Sequence, residues 1–324
     1  MSPAPNDLFA AAAAKDGGVY TATRNGASGT WSAFTRISTL DPRYRNLTVA
    51  VTPEQQVCTF NNAGIGQLLY TYGPPGWSAP LRLASGVSPA RAAAGSGALS
   101  LAALALGRPT LAAQYSFGLP LYTVDADQKT VHDNGDQLAN IDPGPVTPTH
   151  RAGRFAMSGT FDGAAFGFHL CLVATPPSFG SELYYAFGDS TSRGQFVEVY
   201  GLAGLVDVSC SPSRDEGLHV CVIDHAGAIR HVIRSAAGTW TPLGDIGDVS
   251  AATHTGEKFT QIAISHYDLP GSGGILHLVG ITSMGRLLYT NRTSEDTADP
   301  VWAPFADLTG GLGAVRSADI GAHP

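Results

Sequence analysis

Several arginines and histidines of this sequence stand at the entrance to short apolar runs, and hydrogen-bonding chemistry would concentrate there. They are Arg43-Tyr44-Arg45, Arg91, His150-Arg151, His254 and Arg316. Guanidinium and imidazole groups gathered around one point donate to a carbonyl, carboxylate or hydroxyl and stabilise charge that develops on it. At a sixth equivalent place the chain carries Asp207 instead. A second set, Tyr115, Phe117, Phe179 and His225, lies in the connections between runs. Phe117-Gly118 and Phe179-Gly180 fall at the same point of two neighbouring units and would wall an apolar ligand, as in most small-molecule sites. Each of these arginines has a purely structural use as well, tying loop carbonyls together.

Other chemistry lacks its signature. There is no HExxH, no Gly-x-Ser-x-Gly and no phosphate-cradling loop. The ten histidines show no metal-ligand spacing, with His225 and His231 expected on separate strands. No pair of carboxylates is placed for glycoside hydrolysis. Neither a metal nor a cofactor is expected.

The elements that would position these groups form a repeat. Its unit is an aliphatic-Tyr-Thr strand, a polar turn, and then Trp-x-x-apolar. It reads Val19-Tyr20-Thr21 with Trp31, Leu69-Tyr70-Thr71 with Trp77, Leu121-Tyr122-Thr123, Leu183-Tyr184-Tyr185, Ile229-Arg230-His231 with Trp240, and Leu288-Tyr289-Thr290 with Trp302. The marker positions 20, 70, 122, 184, 231 and 289 are 50, 52, 62, 47 and 58 residues apart. Four short strands in a period of this length are the mark of a β-propeller. The four tryptophans share one place in the unit, the start of its last strand, where a large ring would staple one blade to the next.

Two strands precede each marker, such as Leu205–Ser209 and Leu218–Ile223, or Gln261–Ile264 and Ile275–Val279. A blade is therefore four strands, A to D, with A innermost. The chain begins on a B strand, Leu8–Ala13, and ends on an orphan A strand, Ala314–Ile320. The expected fold is all-β: one six-bladed β-propeller domain spanning 1–324, its four-stranded antiparallel blades closed by the C-terminal strand A beside N-terminal strands B–D. Closure of this kind removes a free sheet edge.

Composition agrees. Apolar residues make up 44% of the 324 and charged residues 14%, with 39 Gly and 21 Pro suited to many tight turns. A formal net charge of −7 without a Lys/Arg run gives no footprint for nucleic acid or an anionic membrane. No run reaches the roughly 18 apolar residues of a membrane span. The chain reads as cytoplasmic, or as secretory with its leader removed. Cys58 and Cys171 read as buried thiols, whereas Cys210 and Cys221 flank a turn and are placed either to pair across a hairpin or to remain free.

The stretch Val222–His231 with Thr239–Asp245, and Leu278–Arg292 followed by Trp302–Leu308, resembles the tectonin and bacterial-lectin type of propeller. The resemblance runs through all six units and is strongest in four. It implies a propeller and a sugar ligand. Fungal fucose-binding lectins share the plan, and their pockets use a repeated Arg on strand B, a Glu after it and an aromatic wall. Strand B here offers Cys58, Ala112, Leu170, Val220 and Leu278 at comparable places, so the Arg–Glu pair is not repeated. The plan is also similar to that of the fungal hetero-Diels–Alderases of tropolone–sesquiterpenoid biosynthesis.

Two functions follow. Blades of unequal length favour one asymmetric axial pocket over several equal rim pockets. The leading expectation is thus a cofactor-independent cyclase of secondary metabolism, running a hetero-Diels–Alder-type cycloaddition by orientation and hydrogen bonding. Its substrate would be small, apolar and oxygenated, of terpenoid or polyketide type. Arg91, His150, Arg151, His254 and Arg316 would hold the oxygenated partner. Arg43, Tyr44, Tyr115, Phe117, Phe179 and His225 would complete the pocket. The alternative is a carbohydrate-binding lectin of the tectonin or fucose-lectin type, with Trp and Tyr faces against sugar rings of a glycan.

Overall fold

Strand Leu8–Ala14 is buried along its whole length, both faces included. An antiparallel strand reaches that state only when other sheets cover it on both sides. Its partners explain how. On one edge it pairs with Gly18–Arg24, and on the other with the C-terminal strand Val315–Ala322, from Leu8↔Ala322 to Ala14↔Val315. The two ends of the chain thus build one sheet, as the orphan A strand of the sequence requires.

The computed structural model describes residues 7–41, 44–51, 56–62, 67–73, 76–85, 90–95, 98–103, 105–106, 117–118, 120–124, 131–136, 141–142, 145–146, 151–162, 165–176, 180–189, 194–200, 204–212, 217–241, 257–269, 273–292 and 302–322. Among these residues six antiparallel sheets of three or four strands follow one another. Sheet 1 runs, from its inner edge, Val315–Ala322, Leu8–Ala14, Gly18–Arg24 and Thr35–Thr39. Sheet 2 is Arg45–Val51, Gln56–Asn62, Gln67–Gly73 and Leu81–Ser85. Sheet 3 is Ala90–Gly95, Ala98–Ala103, Pro120–Val124 and Val131–Asp136. Sheet 4 is Arg151–Asp162, Ala165–Thr175, Glu182–Asp189 and Val197–Tyr200. Sheet 5 is Leu205–Pro212, Leu218–Asp224 and Ile229–Arg234. Sheet 6 is Phe259–Leu269, Gly273–Thr282, Leu287–Arg292 and Ala306–Asp307.

The first strand of each sheet neighbours that of the next, and the circuit closes from sheet 6 back to Val315–Ala322 of sheet 1. Polar side chains stitch these inner strands together. Asp207, Ser209 and Ser211 of sheet 5 accept from the amides of Ile262, Ile264 and His266 of sheet 6 at 2.8, 3.0 and 2.9 Å. Ser317 and Asp319 do the same for Leu47 and Val49 of sheet 2, each at 2.8 Å. Adjacent inner strands are not in ladder register, so their buried amides take side-chain acceptors instead. Asp207, which stood out among the cationic entries, serves here. It is fully buried, with its second oxygen 3.8 Å from Arg154 of sheet 4.

Apolar cores fill the gaps between sheets. One joins sheets 6 and 1 through Val279, Leu287, Tyr289, Leu8, Val315 and Ile320. Another joins sheets 4 and 5 through Cys171, Leu183, Tyr185, Val208, Val220 and Val232. The cysteines belong to these cores, and all four are buried free thiols. The hairpin pairing considered for Cys210 and Cys221 does not form, because register separates them. Cys210 sits opposite Val220, and Cys221 opposite Ser209. A one-residue offset sends the two thiols to opposite faces of the sheet, Cys210 toward sheet 4 and Cys221 toward sheet 6.

Candidate ligand sites at the sheet junctions

Three junctions repeat one constellation. Each begins with a cross-strand pair: Arg24 faces Trp31, Arg234 faces Trp240, and Arg292 faces Trp302, each across an isolated antiparallel bridge. The arginine ends strand C, and the tryptophan begins the return toward strand D. The hairpin between them turns on a glycine at two of the three. Gly29 (φ 70°) and Gly238 (φ 85°) adopt a backbone that favours glycine. A Cβ there would lie 3.0 Å from Arg24 Nη2 and 3.1 Å from Arg234 Nη2. The bare turn lets the guanidinium lie across it.

The preceding sheet supplies the other half. From strand B comes His169, His219 or His277, and from strand C Tyr185, His231 or Tyr289. The two rings share a hydrogen bond: His169 Nδ1 to Tyr185 Oη at 2.8 Å, His277 Nδ1 to Tyr289 Oη at 2.7 Å, and His219 Nδ1 to His231 Nε2 at 3.1 Å. The tryptophan of the next sheet meets that ring edge-on, with centroids 5.3 Å apart for Tyr185–Trp240, 5.6 Å for His231–Trp302 and 5.2 Å for Trp31–Tyr289. The tryptophans therefore do staple sheet to sheet. Trp77 of sheet 2 does so too, stacked 5.8 Å from Phe9 of sheet 1. In two junctions the arginine covers the tyrosine face, Arg234 at 4.8 Å and Arg24 at 5.8 Å.

The electrostatics follow from burial beside a cation. Burial, and then the Arg234 charge, bring His169 down to about 4. Burial, then His266 and Arg292, bring His219 to about 3. Burial depresses His231 and His277 as well, helped by His219 and Arg292 for the first and by Arg24 and His266 for the second. At neutral pH these four rings are uncharged hydrogen-bonding groups, and burial raises the Tyr185 phenol above its ordinary value. The cation of each junction is the arginine.

The three copies differ in openness. Arg24, Trp31, Arg234 and Trp240 are half-buried, whereas Arg292 is 1% exposed. At the junction of sheets 5 and 6, His266 stacks on His219 at 5.5 Å and a second histidine, His231, stands in the tyrosine's place. Among the described residues no hydrogen-bond acceptor meets the buried Arg24 Nε and Trp31 Nε1 of the 6/1 junction, nor the Trp302 Nε1 of the 5/6 junction. Buried N–H donors are costly unless an oxygen meets them.

Of the residues expected to ring the axis, Arg43, Tyr115, His150, Phe179 and His254 lie outside the described residues. Arg91 and Arg151 are placed by backbone on innermost strands, opposite Ala102 and Thr175. Phe117 pairs with Leu106 in a two-residue ladder between strands B and C of sheet 3. Tyr44 packs on the core between sheets 1 and 2, its amide bonded to the Asp41 carbonyl at 2.9 Å. Arg316 is half-buried on an innermost strand. His225 is exposed on the turn between strands B and C of sheet 5, against Gly204 of the preceding connection.

The junction arginine ends strand C, so the strand-B positions compared in the sequence do not reveal it. A signal was present. His169-Leu170-Cys171, His219-Val220-Cys221 and His277-Leu278-Val279 are a repeat in the sequence itself. The fourth marker was also out by one. Tyr185, opposite Cys171, matches His231 opposite Cys221 and Tyr289 opposite Val279.

Sheets stitched at their inner strands and stapled by tryptophan define a β-propeller. Solved structures with this arrangement include AofleA from Arthrobotrys oligospora, with a TM-score of 0.57 at 12% identity over 99% of this chain and 90% of that one. The BP39L lectin from Burkholderia pseudomallei matches at 0.53 and 15%, over 94% and 81%. The fucose-specific lectin from Aleuria aurantia matches at 0.50 and 9%, over 82% and 78%. At such identities the likeness is one of fold. No protein-family model matches the chain, and no curated protein matches it.

Proposed function

We propose that the chain is a carbohydrate-binding protein whose ligands sit at sheet junctions, with the 6/1 and 4/5 junctions as its open sites. The carrying observation is the recurrent cross-strand Arg–Trp pair with N–H donors unmatched at the 6/1 junction. A sugar ring presents what these groups lack. Its hydroxyl and ring oxygens accept from guanidinium and indole N–H, and its C–H face packs on an aromatic ring. The fucose-specific lectin among the fold's neighbours makes an α-fucoside the first ligand to try. The axial cyclase reading gains no observation from the described residues.

The test is a glycan array beside a thermal-shift screen of small terpenoid and polyketide ligands. Binding to immobilised glycans is expected to exceed that to the free monosaccharide by about 10²-fold or more, since linked sites gain by effective concentration. An empty array together with stabilisation by one apolar ligand would remove the glycan reading in favour of an axial pocket.

A further inference from the structure

One position separates the junction sites in kind. Two residues beyond the marker ring on strand C, and hence on the same face of the strand, stand Phe187 after Tyr185, Ile233 after His231, and Asn291 after Tyr289. Phe187 is 37% exposed at the edge of a buried aromatic cluster. Its ring lies 5.0 Å from His169, whose ring is 5.9 Å from Tyr185, which in turn meets Trp240 at 5.3 Å. The result is a continuous aromatic run from the junction to the surface, ending in an open face. Its strand is held close by Gly194, where a Cβ would overlap the Phe187 carbonyl. At the 6/1 junction the same place carries the amide of Asn291, half-buried.

We infer that Phe187 extends the 4/5 site to take glycosides bearing an aryl aglycone, while the 6/1 site has a polar wall at that place. The inference rests on the glycan reading of these junctions. It makes the two sites unequal: a bare monosaccharide meets Arg and Trp at both, but an aromatic aglycone finds a partner ring only at 4/5. An added aromatic contact of this kind changes affinity by about 3- to 10-fold.

Methyl α-fucoside and 4-nitrophenyl α-fucoside are titrated calorimetrically into the wild-type protein and into Phe187→Asn. The wild type is expected to prefer the nitrophenyl glycoside by about 3- to 10-fold, and Phe187→Asn to bind both alike with its melting temperature little changed. Phe187→Leu, which keeps apolar volume and loses the ring, serves if the asparagine variant fails to fold, and it too should lose most of the preference. Equal binding of the two glycosides by the wild type, or a preference that survives in either variant, overturns the role of Phe187 and leaves the glycan reading standing. No binding to the wild type of either fucoside, nor of the methyl and 4-nitrophenyl glycosides of any sugar that the array selects, overturns both.

Discussion

Deletion of residues 315–322 is expected to abolish cooperative folding. The strand supplies the inner edge of sheet 1 and bonds along Leu8–Ala14. It buries Val315, Ala318 and Ile320 in the core shared with sheet 6. Burying a valine or isoleucine contributes about 1.5–3 kcal/mol, and each ladder bond about 0.5–1.5 kcal/mol. Ser317 and Asp319 also hold two amides of sheet 2, and Gln261 Nε2 donates to the Ala318 carbonyl at 3.2 Å. The loss is comparable to the whole stability of an ordinary domain, about 5–15 kcal/mol. Near-ultraviolet circular dichroism of the shortened chain should show no melting transition, and a synthetic 315–322 peptide added in trans should restore one. A shortened chain with a normal melt would mean that the remaining sheets stand without closure.

Acid should unfold the protein in a window set by histidine. The folded values of His169, His219, His231 and His277 lie below the ordinary 6.5, at about 4 and about 3 where a figure applies. The unfolded chain therefore takes up protons that the folded chain refuses. The stability of the neutral, buried state is complete above about pH 6.5 and falls as pH drops toward the folded values. Each such ring costs about 1.4 kcal/mol per pH unit inside that window, or about 5–6 kcal/mol per unit for four. A domain of ordinary stability is expected to unfold between about pH 5.5 and 4.5, before most carboxylates titrate. Replacing His169 with Asn keeps a hydrogen-bonding group beside Tyr185 and removes one proton from the uptake. Its acid transition should be shallower by about one proton. A flat stability curve from pH 7 to 4.5 would contradict the account.

The fold was legible because its signal is repeated and mostly apolar. Period, tryptophan placement and the orphan strand at Ala314–Ile320 together require ring closure, and each reappears in the pairing of strands. The junction sites were less legible because their residues come from two sheets far apart in the chain, such as His169 and Arg234, 65 positions apart. No local spacing links such pairs, and strand C ends in arginine for reasons visible only beside the glycine turn. Asp207, the exception among the cationic entries in the sequence, has the Ile262 amide and Arg154 as partners, a structural use that only the packing of inner strands reveals.

The four tryptophans give the central claim its most direct measurement. Each belongs to a different junction, so their indole N–H signals in a ¹⁵N spectrum, assigned by Trp→Phe substitution, report the junctions one by one. On titration with methyl α-fucoside, the signals of Trp31 and Trp240 are expected to shift and saturate, and that of Trp302, whose junction arginine Arg292 is 1% exposed, to stay in place. Arg24→Ala should silence the Trp31 response and Arg234→Ala the Trp240 response. Four indole signals that remain still at millimolar fucoside, and remain still with any glycan the array selects, would contradict ligand binding at these junctions.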